Sequence, residues 1–235
     1  MAKLAVIPAR GGSKRIPRKN IKDFCGLPII AYSIKAAIES NLFDEIIVST
    51  DDQEIASIGL QYGASVPFLR SEENANDHAT TASVLNEVLN NYSSLNKDFA
   101  YACCIYPTAP FVSADKLKEA HNLLINRGFD TVLPVQSFSF PIQRAFLKEN
   151  DRVNWMEPQY ALTRSQDLPK AFHDAGQFYF FNVNSFLQTQ KLITTNSGAI
   201  EISELEGQDI DNETDWKLAE MKFSLIYNEK LPVFK

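Results

Sequence analysis

Short apolar runs alternate along the first 135 residues with segments in which apolar positions recur every three or four residues. The runs have the length of buried β-strands, and the intervening segments have the spacing of helices that bury one face. Turn residues mark helix boundaries, as Pro28 does at a start and Gly63 at an end. The pattern predicts strands at residues 4–7, 45–50, 66–69, 99–106 and 131–135, and helices at residues 28–39, 53–62, 81–92 and 113–126.

Strands that alternate with helices of about ten residues form a parallel sheet with helices on both faces. The nearly continuous apolar character of the runs fits strands that are buried on both sides of such a sheet. Ligands of open α/β sheets bind outside the carboxyl ends of the strands. The pattern therefore places a candidate site on the loops that follow Ile7, Thr50 and Tyr106.

The alternation weakens at residues 137–176, where aromatic residues, charged residues and three prolines occur without a helical period. This stretch is expected to be an inserted arm that projects from the sheet. A further strand is expected at residues 177–182 and a last helix at residues 213–225. We therefore expect one domain over residues 1–235, with the arm at residues 137–176.

Composition excludes several classes of protein. The 235 residues include 23 Lys and Arg against 29 Asp and Glu, a net charge of −6, whereas a general nucleic-acid-binding domain is basic. No run approaches the roughly 18 apolar residues of a membrane span, and the N-terminal run lacks the features of a signal peptide. The three cysteines, Cys25, Cys103 and Cys104, form neither a disulfide framework nor a zinc motif. We therefore expect a protein of the reducing cytoplasm that binds neither nucleic acid nor membrane.

The most informative segment follows the first predicted strand. Six basic residues and no acidic residue lie between Arg10 and Lys22. Paired glycines at positions 11 and 12 allow a ligand to approach the backbone and offer N–H groups to anionic oxygens, and Arg and Lys neutralise phosphate charge. The segment, here called the basic loop (residues 10–22), therefore predicts a phosphate site. It matches neither the P-loop nor the dinucleotide-binding glycine motif.

The sequence VIPARGGSKRIPRKN, at residues 6–20, resembles the nucleotide-binding signature of the cytidylyltransferases that activate nine-carbon sialic-type acids and related sugars. This resemblance implies an α/β, Rossmann-like nucleotidyltransferase fold, with a mostly parallel sheet flanked by helices and a dimerisation arm. It also implies CTP and a nine-carbon sugar acid as substrates, Mg²⁺ as cofactor, and a homodimer. The implied CTP-binding residues are Arg10, Gly11, Gly12, Ser13, Arg15, Lys19, Asn20, Arg70, Ala79 and Thr81.

Residues 79–81 belong to a segment, NDHATT, that is similar to the family segment that reads cytosine. The resemblance places Arg70 near the base or its phosphates, and the backbone of Ala79 and the hydroxyl of Thr81 at the pyrimidine edge. A simpler interpretation also stands, in which Thr80 or Thr81 only caps the helix that follows.

The sugar site is implied by three further segments. YPTAP corresponds to the family's QPTSP loop, with Tyr106 where sialic acid synthetases usually have Gln, and this change argues against N-acetylneuraminate as the substrate. RSQDLP resembles the family's R-x-Q-D-x-P segment, and residues 173–179 occupy the NGAxY position. The implied sugar-binding residues are Tyr106, Pro107, Thr108, Arg164, Gln166 and Tyr179, with Arg144 supplied across a dimer.

Asp209 and Asp211 precede the last predicted helix. Alternate positions of an extended segment point the same way, so both carboxylates can face one cation, and carboxylate and triphosphate oxygens are ligands that Mg²⁺ prefers. The resemblance implies that this pair holds the metal. The alternative is that Asp211 or Asn212 only caps the helix that begins near Glu213. Asp215 is expected on the helix surface.

We therefore expect a cytidylyltransferase with Arg10, Lys19, Asp209 and Asp211 as its catalytic residues. The combined segments most resemble pseudaminic acid cytidylyltransferases, which implies a role in surface glycan or flagellin glycosylation. N-acetylneuraminate or legionaminate is the alternative substrate, and 3-deoxy-manno-octulosonate fits the pattern after the basic loop less well. A different class also stays open, that of a catalytically silent nucleotide-binding protein.

Overall fold

A computed structural model describes residues 1–227 of the chain. Five of its helices confirm the predicted helices to within two residues at each end, and two short helices were not predicted. Most of the helices begin at a capping side chain, such as Asp52, which accepts from the backbone N–H groups of Glu54 and Ile55. The helices are α1 (Ile29–Ser40), α2 (Gln53–Gln61), α3 (Glu72–Ala75), α4 (Thr81–Ser94), α5 (Ala114–Arg127), α6 (Val183–Thr189) and α7 (Glu213–Tyr227).

The strands form one large sheet and two small hairpins. They are β1 (Lys3–Pro8), β2 (Asp23–Phe24), β3 (Leu27–Pro28), β4 (Glu45–Ser49), β5 (Tyr101–Ile105), β6 (Thr131–Ser137), β7 (Phe146–Glu149), β8 (Arg152–Trp155), β9 (Phe172–Asp174), β10 (Phe178–Asn182) and β11 (Ser197–Glu201). The order in the large sheet is β11-β6-β10-β5-β1-β4, with β9 paired to the end of β6. The hairpins are β2–β3 and β7–β8.

The sheet is mostly parallel, as expected, but it is mixed. β1 pairs in parallel with β4 and β5, and β11 pairs in parallel with β6. β10 lies antiparallel between β5 and β6, and β9 is antiparallel to β6. The carboxyl ends of β1, β4 and β5 consequently meet at one edge of the sheet, where the basic loop begins.

The apolar runs are buried on both sides of the sheet. Along β1, Ala5 and Ile7 pack into one core, whereas Leu4 and Val6 pack into the other. All four side chains are fully buried, as expected for a strand that helices cover on both faces. The two cores fix the position of β1, and therefore of the loop that follows it.

A third apolar cluster lies beneath the basic loop. Ile16 from that loop and Ile210 from the segment before α7 are fully buried there, together with Trp216 of α7. Phe24 of the small hairpin packs edge-on against Trp216 at a centroid distance of 5.6 Å. This cluster ties the basic loop to the segment that carries Asp209 and Asp211.

The predicted strand at residues 66–69 is wrong. The parallel pairing with β4 is an isolated bridge at Ser65, whose N–H donates to the Ile46 carbonyl at 2.8 Å and whose carbonyl accepts from Val48 N–H at 2.9 Å. Pro67 has no N–H to donate two residues later, so the pairing does not continue. The chain instead leaves the sheet toward Arg70.

The inserted stretch has more regular structure than its sequence suggests. β6 continues to Ser137, β9 pairs with that extension, and the hairpin β7–β8 lies between them. Its large apolar side chains are exposed in the single chain: Phe140 is 84% exposed and Leu162 99% exposed. Within residues 1–227, no helix is both long enough and apolar enough to cross a membrane.

Candidate active site

A cleft of about 540 Å³ opens beside the carboxyl ends of β1 and β5. One wall is the basic loop, and the opposite wall includes the segment before α7. Thirteen of the residues predicted to bind or react line this cleft: Arg10, Ser13, Arg15, Lys19, Asn20, Arg70, Ala79, Thr81, Tyr106, Pro107, Thr108, Asp209 and Asp211. The loop after Thr50 does not line the cleft. Its residues Asp51 and Asp52 bind the basic loop on the side away from the cleft.

Hydrogen bonds at both ends of the basic loop fix its shape. Asn20 is buried and its amide donates to the Arg10 carbonyl at 2.9 Å, which closes the loop on itself. Arg18 has a left-handed backbone (φ 55°) and donates to Asp52 at 2.9 Å and to Glu54. The Arg18 guanidinium holds the pKa of Asp52 at about 2, so this ion pair is present at neutral pH.

The two glycines have different surroundings. A Cβ on Gly11 would lie 2.7 Å from Asp52 Oδ2, so a larger residue would displace the Asp52 side chain, and the Gly11 N–H donates to Asp51 at 3.0 Å. Gly12 has open space around its Cβ position. Neither glycine lines the cleft, and the Gly11 amide already binds a carboxylate because the loop packs against the start of α2.

Asp77 joins two cations at the mouth of the cleft. Its carboxylate accepts from Lys14 and, at 2.6 Å, from Arg10. Lys14 first and Arg10 second hold the pKa of Asp77 at about 2. Asp77 and Lys14 line the cleft but were not among the predicted site residues. The signal was present, because Asp77 is the acidic residue of the NDHATT segment.

Lys19 connects the basic loop to the opposite wall. Its Nζ donates to the Ile210 carbonyl at 2.7 Å and lies 3.8 Å from Asp211 Oδ1. Burial lowers the pKa of Lys19, and the neighbouring carboxylates oppose that shift. Arg15 makes a second connection through a 2.8 Å contact to Asp211. The cleft therefore contains alternating positive and negative groups.

Asp209 and Asp211 fit a divalent cation. Both line the cleft, and desolvation together with the neighbouring Asp211 charge raises the pKa of Asp209. A bound cation would stabilise the charged form of a carboxylate such as Asp209, which burial and a neighbouring negative charge disfavour. Among residues 1–227, no three His, Cys, Asp or Glu side chains are grouped to hold a metal, so further ligands would come from triphosphate and water, as is usual for Mg²⁺.

The helix cap next to this pair is formed by other residues. Asn212 accepts from the backbone N–H groups of Thr214 and Asp215, and Asp215 accepts from those of Asp211 and Asn212. This reciprocal arrangement is a capping box. It leaves the Asp211 carboxylate free of the capping role that the alternative interpretation gave it. Asp215, expected on the helix surface, instead holds the backbone of Asp211.

Arg70 and Thr81 form a further side of the cleft. Arg70 is only 9% exposed and its Nε donates to the Ser49 hydroxyl at 3.2 Å; burial lowers the pKa of this guanidinium. Thr80 caps α4 by accepting from the Ser83 N–H, which leaves the Thr81 side chain free to line the cleft. The Ala79 N–H donates to the Asn76 side chain at 3.1 Å.

Tyr106 is held by residues from two sides. Its hydroxyl lies 3.3 Å from the Thr81 hydroxyl, and its ring meets the edge of Tyr179 at a centroid distance of 5.7 Å. Tyr179 is buried and donates to Asp174, and burial first and this hydrogen bond second raise the pKa of Tyr179. Tyr179 therefore packs against Tyr106 and does not line the cleft. Its contact with Asp174 was not predicted.

The three remaining predicted sugar residues lie on the inserted stretch, outside the cleft. Arg164 is paired with Asp167 at 2.7 Å, and Arg144 lies over the Trp155 ring at 5.8 Å. Gln166 lines a separate pocket of about 270 Å³ near Phe138. The single chain does not bring these three residues to the cleft.

Comparison with known proteins agrees with this geometry. A family model described as "Cytidylyltransferase" matches residues 4–222. The chain is 40% identical over 226 residues to a pseudaminic acid cytidylyltransferase of Campylobacter jejuni, covering 96% of this chain and 97% of the relative. It is 33% identical to a CMP-N,N'-diacetyllegionaminic acid synthase of Legionella pneumophila, covering 94% of this chain and 96% of the relative.

The fold is also found among solved structures. A CMP:2-keto-3-deoxy-manno-octonic acid synthetase complexed with CTP superposes with a TM-score of 0.71 at 16% identity, over 98% of this chain and 100% of that chain. At this identity the likeness concerns the fold alone. Because the family model spans nearly the whole chain and the relatives align end to end with it, this protein belongs to the cytidylyltransferase family.

Proposed function

We propose that the chain transfers the cytidylyl group of CTP to pseudaminate, a nine-carbon nonulosonic acid, and releases pyrophosphate. The observation that carries this proposal is the convergence of Arg10, Lys19, Asp209 and Asp211 on one cleft. Cations that suit a triphosphate and carboxylates that suit its metal ion face each other there. The 40% identity to a pseudaminic acid cytidylyltransferase supports the choice of sugar.

In the reaction, the anomeric hydroxyl oxygen at C2 of the sugar acid attacks the α-phosphorus of CTP in line. The bond from this phosphorus to the bridging oxygen of the β-phosphate breaks, pyrophosphate leaves with that electron pair, and the hydroxyl proton passes to solvent. Such a transfer depends on positioning and on charge stabilisation more than on covalent catalysis.

We assign the triphosphate to the basic loop. Arg10 and Lys19 line the cleft together with Ser13, Arg15 and Asn20, and Gly12, next to Ser13, would provide a backbone amide. The charge of Lys19 would stabilise the negative charge that develops on the leaving pyrophosphate. Asp77 accepts from Arg10 at 2.6 Å, and the phosphates would replace part of that contact.

Asp209 and Asp211 would hold Mg²⁺, which neutralises triphosphate charge when it is bound. The chain's own contribution is to keep the two carboxylates facing the basic loop. Lys19 and Arg15 do so by contacts to Ile210 and Asp211.

The nucleoside and the sugar are assigned to the remaining walls. Arg70, Ala79 and Thr81 would surround the cytidine, and Tyr106 with Pro107 and Thr108 would meet the sugar. Pseudaminate has a methyl group at C9 where N-acetylneuraminate has a hydroxymethyl group. The ring of Tyr106 offers apolar surface where a glutamine would offer a carboxamide, which suits that difference.

We also propose that the arm at residues 137–176 forms a homodimer. Phe140 and Leu162 are exposed in the single chain, as are Leu147 and Val153 at 59% each, and exposed apolar groups of this size mark interfaces. Arg144 Nε is buried and has no hydrogen-bond partner within the described chain. A second copy that covers this face could receive Arg144, Arg164 and Gln166 near its own cleft.

The proposed compartment is the cytoplasm. Cys103 and Cys104 are adjacent, buried thiols that form no disulfide. Adjacent unpaired thiols suit a reducing environment, in which CTP-dependent synthesis would take place.

The reaction class is tested by measuring pyrophosphate release with CTP and pseudaminate in the presence of Mg²⁺. We expect pyrophosphate and a CMP-linked sugar in equal amounts, dependent on both substrates, and a large loss of rate when UTP or ATP replaces CTP. Release of pyrophosphate without the sugar acid, or no turnover with any nonulosonic acid, would contradict the proposal.

A further inference from the structure

The segment that carries Asp209 and Asp211, here called the carboxylate segment (residues 203–211), has no helix or strand of its own. Its shape therefore depends on side chains that bind its backbone. Lys19 binds the Ile210 carbonyl, but this residue belongs to the cleft itself. Two residues outside the cleft bind the preceding carbonyl groups.

Gln177 is the first of these residues. It is 3% exposed, and its side-chain amide donates to the Glu206 carbonyl. Its own backbone carbonyl accepts from the Tyr106 N–H at 2.8 Å. Gln177 therefore joins the carboxylate segment to the loop that follows β5. A buried amide donor that lost this partner would be costly to leave unsatisfied.

Lys222 of α7 is the second residue. Its Nζ donates to the Gly207 carbonyl at 2.7 Å, one residue beyond the carbonyl that Gln177 binds. A Cβ on Gly207 would collide with the Gln136 carboxamide, so the backbone lies close to β6 at this point. Burial lowers the pKa of Lys222, and the charge of Glu204 opposes this shift.

We propose that Gln177 and Lys222 are positioning residues that fix the carboxylate segment so that Asp209 and Asp211 are arranged for the cation before it binds. This inference rests on the proposed function, in which these two carboxylates hold Mg²⁺. Neither positioning residue lines the cleft, so neither touches the substrates. Both act through consecutive peptide units of one short segment.

The physical basis is preorganisation. When residues outside the ligand shell hold the ligands in place, the cation does not need to order the segment as it binds. Loss of such an outer contact typically weakens metal binding about 10- to 100-fold. We therefore expect a weaker metal affinity in variants of either residue, and recovery of kcat when the metal concentration is raised to saturation.

The test uses the full chain with CTP but without sugar acid, so that no turnover occurs. Mn²⁺ binding is followed through the relaxation rate of water protons. We expect Lys222→Met and Gln177→Leu each to raise the dissociation constant for Mn²⁺ roughly tenfold, and Lys222→Arg to restore most of the affinity. The matched control is Lys35→Met, because Lys35 is an exposed lysine of α1. We expect this variant to bind Mn²⁺ with the affinity of the wild type.

The outcomes separate this inference from the proposed function. If Asp211→Asn leaves Mn²⁺ binding unchanged, the metal site itself is misassigned. If Asp211→Asn weakens binding while folded Lys222→Met binds Mn²⁺ as tightly as the wild type does, the positioning roles are refuted and the metal site stands. If Gln177→Leu does not fold, Lys222→Met decides the question alone. A loss of kcat in Lys222→Met that saturating Mg²⁺ does not restore would also refute the inference.

Discussion

Replacement of Lys19 by alanine is the perturbation for which the structure gives the most definite expectation. The Lys19 side chain is 21% exposed and its Nζ is fixed by the Ile210 carbonyl at 2.7 Å. Lys14, in the same loop, has a side chain that is 80% exposed and contacts only the Asp77 carboxylate among the described ion pairs. The two lysines carry the same charge, so a comparison of their alanine variants isolates the effect of the fixed, partly buried position.

The magnitude follows from the position of the charge. At about 4 Å and an effective dielectric constant of about 20, two unit charges interact by about 4 kcal/mol. Removal of one preorganised group that stabilises charge in a transition state costs about 3–4 kcal/mol, which corresponds to a fall in kcat of roughly 10²- to 10³-fold. An exposed ion pair contributes less than about 1 kcal/mol, so Lys14→Ala should lower kcat by less than about fivefold.

The assay is steady-state pyrophosphate release at saturating Mg²⁺, with kcat and KM for CTP determined separately for each variant. Lys19→Arg serves as a further control that keeps the charge, and it should retain more activity than Lys19→Ala. A change in Lys19→Ala that is confined to KM for CTP would show that Lys19 contributes only uniform binding. Equal losses in Lys14→Ala and Lys19→Ala would refute the argument from burial.

Four further expectations follow from the same structure. Asp211→Asn should greatly reduce turnover at limiting Mg²⁺ without changing the melting temperature, since the residue lies in a loop; wild-type activity would remove the pair from the mechanism. The pKa of Asp52 is about 2 against about 3.9 when unfolded, so its charge stabilises the fold above pH 4 and this contribution is lost as the pH falls toward 2. Urea unfolding of Asp52→Asn should therefore differ from the wild type at pH 6 and converge with it near pH 2; a constant difference would contradict the pairing with Arg18. Light scattering should give about twice the 26.4 kDa chain mass, and a fully active monomer would exclude both the dimer and a site shared between copies. Tyr106→Gln should shift the ratio of kcat/KM values toward N-acetylneuraminate, and an unchanged ratio would remove Tyr106 from sugar selection.

Local features of the chain were predictable because adjacent residues carry them. The six cations of the basic loop lie within thirteen residues, and their position after β1 follows from the alternation of strands and helices. Asp209 and Asp211 are separated by one residue, so an extended backbone places both on the same side. The structure brings these two features together in one cleft.

Contacts between distant parts of the chain were not predictable. Arg18 and Asp52 are 34 residues apart, and Arg10 and Asp77 are 67 residues apart. No periodicity in a sequence links one cation to one carboxylate over such a separation. For this reason the sequence indicated a free basic loop, whereas the structure shows each of these two arginines held by a carboxylate from another loop.

The direction of β10 illustrates a second reason. All four residues from Phe178 to Phe181 are buried, and a strand that is apolar on both faces buries the same surface whether it is parallel or antiparallel. The pattern of apolar and polar positions therefore does not predict its antiparallel pairing with β5 and β6. The prediction of a strand at residues 66–69 was wrong for a different reason. The apolar residues there fit a strand, but Pro67 has no backbone N–H to donate to a neighbouring strand.

The most direct test of the account is the ratio of kcat/KM for pseudaminate to kcat/KM for N-acetylneuraminate, measured with the wild-type chain, CTP and Mg²⁺. An apolar contact at Tyr106 discriminates only weakly against a substrate that carries an added hydroxyl group. Polar groups that bind a substrate hydroxyl would discriminate strongly against a substrate that lacks it. We therefore predict a ratio well above one, with slow but measurable turnover of N-acetylneuraminate. A ratio below one would contradict the assignment of pseudaminate and leave only the cytidylyltransferase reaction.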